Sequence, residues 1–204
     1  MSLHIEKLLN THPKLAELEQ NIKGATEKII CAYENGGKVL ICGNGGSAAD
    51  SEHIAGELLK GFLKKRPLTA QQKSALGEPL AGSLQQSLPA VSLVSQSGIM
   101  TAVINDLGAD YVFAQQVMGL GCSGDVLIGI STSGNAKNVV NAFKVAKMKG
   151  LICIALTGAN ESEMSALCDV LLNVPALSTP DIQEYHLPVY HAICAGVEAH
   201  FFKE

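Results

Sequence analysis

The sequence has no tryptophan, and aromatic residues make up only 4% of its 204 positions. No apolar stretch approaches the roughly 20 residues that a membrane-spanning helix requires, so we expect no membrane partner. Charged residues are sparse, at 17%, and the net charge is -4. Nucleic acid is not expected as a ligand, because binding to its phosphate backbone needs clustered lysine and arginine. The short basic run Lys64–Arg66 is interpreted as part of a solvated loop.

The six cysteines form no Cys-x-x-Cys pair, and the N-terminus lacks the apolar core of a signal peptide. Several cysteines lie in apolar runs, as Cys42 does, which is typical of buried thiols in a reducing compartment. A cytoplasmic protein is therefore expected. Apolar residues make up 47% of the chain, enough for a substantial core, and residues 1–204 are expected to form a single domain.

The order of apolar segments predicts an α/β fold. Residues 1–36 have helical spacing, with Pro13 expected to start the main helix and Gly36 to end it. Short, wholly apolar runs then alternate with helical patterns, as expected for parallel strands covered on both faces. The pattern predicts a doubly wound, three-layer αβα sandwich with a five-stranded parallel sheet. The five expected strands are 38–42, 90–94, 126–130, 151–156 and 170–174.

Residues 63–88 interrupt this alternation with prolines, glycines and paired glutamines. They are predicted to form a surface insertion with a short helix within 69–76. The insertion could close over a site as a lid or could be a passive loop, and the sequence leaves both interpretations open.

Two segments have the composition of phosphate-binding loops. Gly43–Ser47 follows the first predicted strand, and Ser131–Asn135 follows the third. Glycines allow a close backbone approach, and a helix N-terminus or a hydroxyl donates hydrogen bonds to an anion. A Gly-rich turn and a Ser/Thr-rich helix cap are the structural alternatives. The acidic second strand of a dinucleotide site is missing, so no nucleotide cofactor is expected.

Two predicted helices carry groups that could transfer protons. His53 and Glu57 are four residues apart and so share one helix face. Gln183 and His191 lie on the predicted C-terminal helix. A carboxylate and an imidazole beside a phosphate-binding loop suit proton transfer next to a carbonyl. The sequence alone does not bring the two helices together, and a lone histidine is often structural.

These segments, taken in order, resemble the phosphoheptose isomerases of the SIS (sugar isomerase) family. The resemblance implies the predicted fold and a homotetramer with sites at subunit interfaces. It also implies an enediol isomerisation of sedoheptulose 7-phosphate to D-glycero-D-manno-heptose 7-phosphate. Some relatives bind zinc. The implied roles are a general base, Glu57; a general acid, His191; phosphate and sugar ligands, Asn44, Gly45, Ser47, Asp106, Ser131, Thr132, Ser133 and Gln183; and zinc ligands, His53, Glu57, Gln183 and His191.

Three departures from the family pattern bear on the substrate. Ala136 replaces a usual serine, Lys60-Gly61 replaces a usual Gly-Arg, and Pro188 lies inside the last helix, where it should cause a kink. Two alternatives stay open. One is an isomerase for another sugar phosphate, and the other is a non-catalytic SIS protein that associates with the replication initiator DnaA.

Overall fold

The computed structural model describes residues 2–202, which form a parallel sheet between two layers of helices. The strands are ordered β2-β1-β3-β4-β5, and the predicted doubly wound fold is confirmed. Every predicted strand is present, shifted by at most two residues at either end. The strands are β1 (Val39–Gly43), β2 (Ala90–Ser92), β3 (Val126–Ile130), β4 (Ile152–Thr157) and β5 (Val170–Asn173).

Helices cover both faces of the sheet because alternate residues of each strand point to opposite sides. Val39 and Ile41 pack in one apolar cluster with α1, α2, α3 and α10. Leu40 and Cys42 pack in the other with α6 to α9. The α-helices are α1 (Ser2–Thr11), α2 (Glu19–Glu34), α3 (Gly46–Leu59), α4 (Ala70–Leu76), α5 (Leu80–Ser83), α6 (Ser97–Asp106), α7 (Val112–Leu120), α8 (Lys137–Lys149), α9 (Glu163–Leu167) and α10 (Thr179–Phe201).

The N-terminal helices differ from the expectation at one point. Pro13 opens a 3-10 helix, Pro13–Leu18, and the main helix α2 begins only at Glu19. The Leu15 N–H bonds to the His12 carbonyl at 2.9 Å, which is the tighter i to i+3 pattern. The end of α2 is as predicted, because Gly36 takes a left-handed φ of 76° just beyond it.

The predicted helix within 69–76 is confirmed as α4, whose side chains are all exposed. Thr69 and Gln72 form a capping box at its start. The predicted buried thiols are only partly found, since Cys31 and Cys122 are exposed. Within residues 2–202, no helix combines the length and apolarity needed to cross a bilayer.

Arg66 is fully buried, so its interpretation as part of a solvated loop is wrong. Its guanidinium pairs with Glu198 of α10 at 2.9 Å and donates to the carbonyls of Leu58 and Glu57 at 2.6 and 2.8 Å. These partners replace the water that a charged group would lose on burial. Glu198 also accepts hydrogen bonds from three backbone N–H groups just after the end of α3, those of Phe62, Leu63 and Lys64. The end of α3 is thereby fixed to α10.

Candidate active site

The helices α3 and α10 lie side by side and run in the same direction. At the start of α3, a side chain at Gly46 would collide with the amide of Gln183 on α10. Seven residues further along both helices, His53 Nδ1 lies 3.0 Å from the Tyr190 hydroxyl. This matched register brings together two segments that are more than 130 residues apart in sequence, since His53 and His191 are separated by 138 positions.

Glu57, His53 and His191 converge at the second half of this helix pair. His53 Nε2 lies 3.0 Å from Glu57 Oε1 and 3.4 Å from His191 Nε2. One potential ligand atom from each of the three residues lies within 4.8 Å of the other two. Lys60 Nζ lies 3.9 Å from Glu57 Oε2, so the departure at Lys60-Gly61 leaves a cation beside the carboxylate. The structure thus places the sequence-predicted base and acid in one cluster.

The cluster is partly buried, and this changes the acidity of His191. Burial lowers the pKa of His191, as does the neighbouring His53, while Glu57 opposes them. The rings of Phe62 and Tyr190 pack on His191, with centroids 5.3 and 5.0 Å away. Glu57 is only 14% exposed, although His53 is 42% exposed. A carboxylate and a neutral imidazole at the edge of an apolar wall are suited to proton transfer.

Behind the cluster, a hydroxyl and a carboxylate contact the far side of His53. The buried Tyr190 places its hydroxyl 3.1 Å from Asp50 Oδ1 as well as 3.0 Å from His53 Nδ1. Burial raises the pKa of Asp50, and the hydrogen bond from Tyr190 lowers it again in part. Burial raises the pKa of Tyr190 well above its ordinary value, with Asp50 adding to the effect. Sequence reasoning missed both residues, because a tyrosine on an apolar helix face resembles a core residue.

The first predicted phosphate loop connects β1 to α3 at the carboxyl edge of the sheet. Gly45 adopts a φ of 58°, and a Cβ at Gly43 would lie 2.6 Å from the Ser47 carbonyl oxygen, so both positions require glycine. Ser47 is buried beneath the loop. Asn44 and Asn138 of α8 exchange two amide hydrogen bonds of 2.9 Å. This pair joins the first loop to the helix that follows the second.

The second loop follows β3 and is held by its own side chains. Ser131 is buried, Thr132 is half-buried and Ser133 is exposed. Ser133 Oγ accepts from the Asn135 N–H at 3.2 Å. The helix α8 begins at Lys137. Its N-cap is Ala136, which forms no side-chain cap. The two loops therefore lie at adjacent strand ends, where open α/β sheets bind ligands.

Other sequence-predicted residues lie apart from the three-residue cluster. Gln183 packs at the first loop, about two helical turns before the position of His191. Asp106 is exposed at the end of α6 and accepts a 2.7 Å bond from Asn105. His186 is buried, with Nε2 bonded to the Thr157 carbonyl, and burial lowers its pKa to about 4. The helix α10 continues through Pro188 to Phe201.

His53, Glu57 and His191 also fit a zinc ion as ligands. Zinc in proteins takes imidazole nitrogens and carboxylate oxygens. In a tetrahedral site with bonds of about 2.1 Å, neighbouring ligand atoms are about 3.4 Å apart. The two distances from His53 Nε2, 3.0 and 3.4 Å, are close to that spacing.

The fold and these groups define a class: an α/β protein with two glycine- and hydroxyl-rich loops at the carboxyl edge of its sheet and a cluster of one carboxylate and two imidazoles. The family model described as SIS domain matches residues 5–87 and 79–158. This match spans most of the chain. The chain belongs to the SIS domain family.

Individual relatives agree with this membership. The chain is 39% identical to a phosphoheptose isomerase of Aneurinibacillus thermoaerophilus, over 98% of this chain and 93% of that protein. It is 43% identical to one of Burkholderia pseudomallei strain 1710b, over 97% and 85%. The solved phosphoheptose isomerase GmhA from Neisseria gonorrhoeae superposes with a TM-score of 0.77 at 36% identity, covering 97% of this chain and 96% of that one. The enzyme from Francisella tularensis gives 0.78 at 30% identity, with 96% and 95% covered.

Proposed function

We propose that this protein interconverts sedoheptulose 7-phosphate and D-glycero-D-manno-heptose 7-phosphate. The observation that carries the proposal is the convergence of Glu57, His53 and His191 from two distant segments onto one point. The similarity to phosphoheptose isomerases over nearly the whole chain supports the choice of substrate.

The distance between the cluster and the first loop favours an elongated ligand. Ser47 and Glu57 are ten residues apart on α3. At 1.5 Å per residue, their backbones are separated by about 15 Å along the helix. A ligand with its phosphate at the loop and its carbonyl end near Glu57 must therefore be long. An open-chain heptose phosphate meets this requirement better than a triose phosphate does.

In the proposed reaction, Glu57 takes a proton from C1 of the ketose and returns it to C2. The electrons of the broken C–H bond form the C1–C2 double bond of an enediol. His191 accepts the proton of the O1 hydroxyl and supplies one to O2, so the aldose forms with no net loss of protons. The position of Glu57 supports its role as a base, because its carboxylate is only 14% exposed and is held 3.0 Å from His53.

We further propose that His53, Glu57 and His191 can hold zinc. Gln183, the expected fourth ligand, packs at the first loop about two helical turns away, so within one chain it does not reach the other three. When bound, zinc would polarise the substrate carbonyl as a Lewis acid. In the same proposal, Ser47, Ser131, Thr132 and Ser133 hold the phosphate together with Gly45. Asn44 and Asp106 contact the sugar. The position of both loops at the carboxyl edge of the sheet supports this arrangement.

The proposal extends to the assembly and location of the protein. Exposed apolar residues on α6, just after it and on α7, namely Ile104, Leu107 and Met118, support a homotetramer with shared sites. The free cysteines support a reducing, cytoplasmic environment. We propose that residues 1–204 form one SIS domain, in which 63–88 is a surface insertion.

The experiment that tests the function is a comparison of Glu57→Gln with the wild type. The purified variant is incubated with sedoheptulose 7-phosphate, products are identified by NMR, and substrate binding is measured by calorimetry. We expect binding to persist while turnover falls by about two to four orders of magnitude, the usual contribution of a positioned base. The matched control is Glu52→Gln, on the same helix, whose carboxylate accepts from Ser95 instead. Near-normal turnover in Glu57→Gln would reject the proposed base.

A further inference from the structure

The contacts behind His53 favour a proton on one of its two ring nitrogens, Nδ1. The Tyr190 hydroxyl has a single proton, and two acceptors lie within reach: Asp50 Oδ1 at 3.1 Å and His53 Nδ1 at 3.0 Å. An ionised carboxylate can only accept a hydrogen bond. The tyrosine proton therefore goes to Asp50, and the tyrosine oxygen is left to accept one from His53.

A neutral imidazole carries one N–H. The Tyr190 oxygen accepts it when it is at Nδ1, whereas Glu57 Oε1 accepts it when it is at Nε2, so the two contacts compete for one proton. When the Tyr190–Asp50 pair holds the proton at Nδ1, Nε2 presents a lone pair. That lone pair faces Glu57 Oε1 at 3.0 Å and His191 Nε2 at 3.4 Å.

We propose that Tyr190, oriented by Asp50, is a positioning residue that holds His53 in the Nδ1–H tautomer and so presents its Nε2 as a metal ligand. The inference rests on the proposed function only for the identity of the metal, zinc. Outer partners that fix a histidine tautomer strengthen metal binding, and their loss typically weakens it by about 10- to 100-fold.

The packing of Tyr190 suits this role. Its ring is 2% exposed and lies edge-on to both imidazoles, with centroids 5.5 Å from His53 and 5.0 Å from His191. Its hydroxyl meets two residues that are three apart on α3, so one group on α10 contacts consecutive positions of the same helix face. Without that hydroxyl, His53 could move its proton to Nε2 and donate to Glu57. A metal would then have to displace a hydrogen bond before binding.

The test compares Tyr190→Phe with the wild type in two measurements that do not depend on turnover. Selective ¹⁵N labelling of histidine reports the tautomer of His53 in the metal-free protein. Competition with a chelator reports the Kd for Zn²⁺. We expect Nδ1–H in the wild type, a shift toward Nε2–H in Tyr190→Phe, and about 10- to 100-fold weaker zinc binding.

The matched control is Tyr33→Phe. Tyr33 also packs against the same apolar cluster, but its hydroxyl donates to the Pro89 carbonyl at 3.2 Å, away from His53. This variant should keep both the tautomer and the zinc affinity. If zinc binding were weakened equally in Tyr33→Phe and Tyr190→Phe, the cause would be a general loosening of the apolar core, and the proposal would be overturned.

The role of Asp50 is tested by combining substitutions. If Asp50 acts through Tyr190, then Asp50→Ala added to Tyr190→Phe should weaken zinc binding no further than Tyr190→Phe alone. Additive losses, an Nε2–H tautomer in the wild type, or wild-type zinc affinity in Tyr190→Phe would each contradict the inference. A wild type that keeps Nδ1–H, loses it in Tyr190→Phe and binds no zinc would support the tautomer assignment and reject the zinc site of the proposed function.

Discussion

The buried pair Arg66–Glu198 provides a sharp test of how this fold holds its site together. The Glu198 carboxylate is 1% exposed and accepts four hydrogen bonds. Substitution of Glu198 by glutamine keeps the shape of the side chain but removes its charge and one of its two acceptor oxygens. The new NH₂ group would then face backbone N–H donors. The acceptor distances are 2.9 Å from Arg66 Nε and 2.8, 2.8 and 3.1 Å from the N–H groups of Phe62, Leu63 and Lys64.

The expected loss in free energy of unfolding depends on how well the Arg66 charge stays compensated in the variant. Removing one partner of a buried ion pair costs about 3–5 kcal/mol, because the other charge stays buried without compensation. Glutamine retains one acceptor, and the Arg66 guanidinium keeps its carbonyl partners at Leu58 and Glu57. We therefore expect the lower end of that range, about 3 kcal/mol, for the loss in free energy of unfolding.

Urea unfolding followed by far-UV circular dichroism measures this loss, at a protein concentration that is the same for variant and wild type. The matched control is Glu19→Gln, which breaks the half-exposed i,i+4 pair with Lys23. Such pairs contribute about 0.3–0.5 kcal/mol. If Glu198→Gln were no more destabilising than Glu19→Gln, the buried pair would not be what fixes the end of α3.

Two further predictions concern α8 and His186. Ala136→Ser should supply the missing cap of α8 and raise the free energy of unfolding by about 1 kcal/mol, with a lower KM for the sugar phosphate; an unchanged Tm would contradict this. Burial lowers the pKa of His186 from 6.5 to about 4, so the unfolded chain binds more protons between those values. The stability from this group is complete above about pH 6.5 and is lost as pH falls toward 4, about 2 kcal/mol by pH 5. Urea titrations at pH 7 and 5 should show a flatter dependence in His186→Asn, and an equally steep one would exclude His186 as the cause.

The sheet could be predicted from the sequence because a parallel strand buried on both faces is apolar at every position. The run Val126–Ile130 is an example, and all five of its residues are buried. The glycine loops could also be located, since Gly45 needs a positive φ. The start of α2 could not, because Pro13 permits either kind of helix and the bonding of Leu15 decides between them.

The contacts within the candidate site could not be predicted from the sequence. Glu57 and His191 could be singled out by residue type, but their meeting depends on the register between two helices, which no local pattern encodes. Arg66 was misread because a basic triplet is usually solvated, whereas its acidic partner lies 132 residues further along the chain. Tyr190 was missed because a tyrosine on an apolar helix face resembles a core residue, and its partner Asp50 is 140 positions away.

The register of α3 against α10 links stability to chemistry in this protein. Three contacts at successive positions along the two helices fix this register. They are Gln183 against Gly46, Tyr190 against His53, and Glu198 with Arg66 beyond the end of α3. The last contact forms no part of the proposed chemistry, yet Arg66 holds the backbone carbonyl of Glu57 itself. A displacement of about 1 Å can cost about 100-fold in rate when reacting groups must be aligned. Loosening the buried ion pair should therefore reduce turnover even at temperatures where the chain stays folded, because the proposed base, Glu57, and the proposed acid, His191, are carried by different helices.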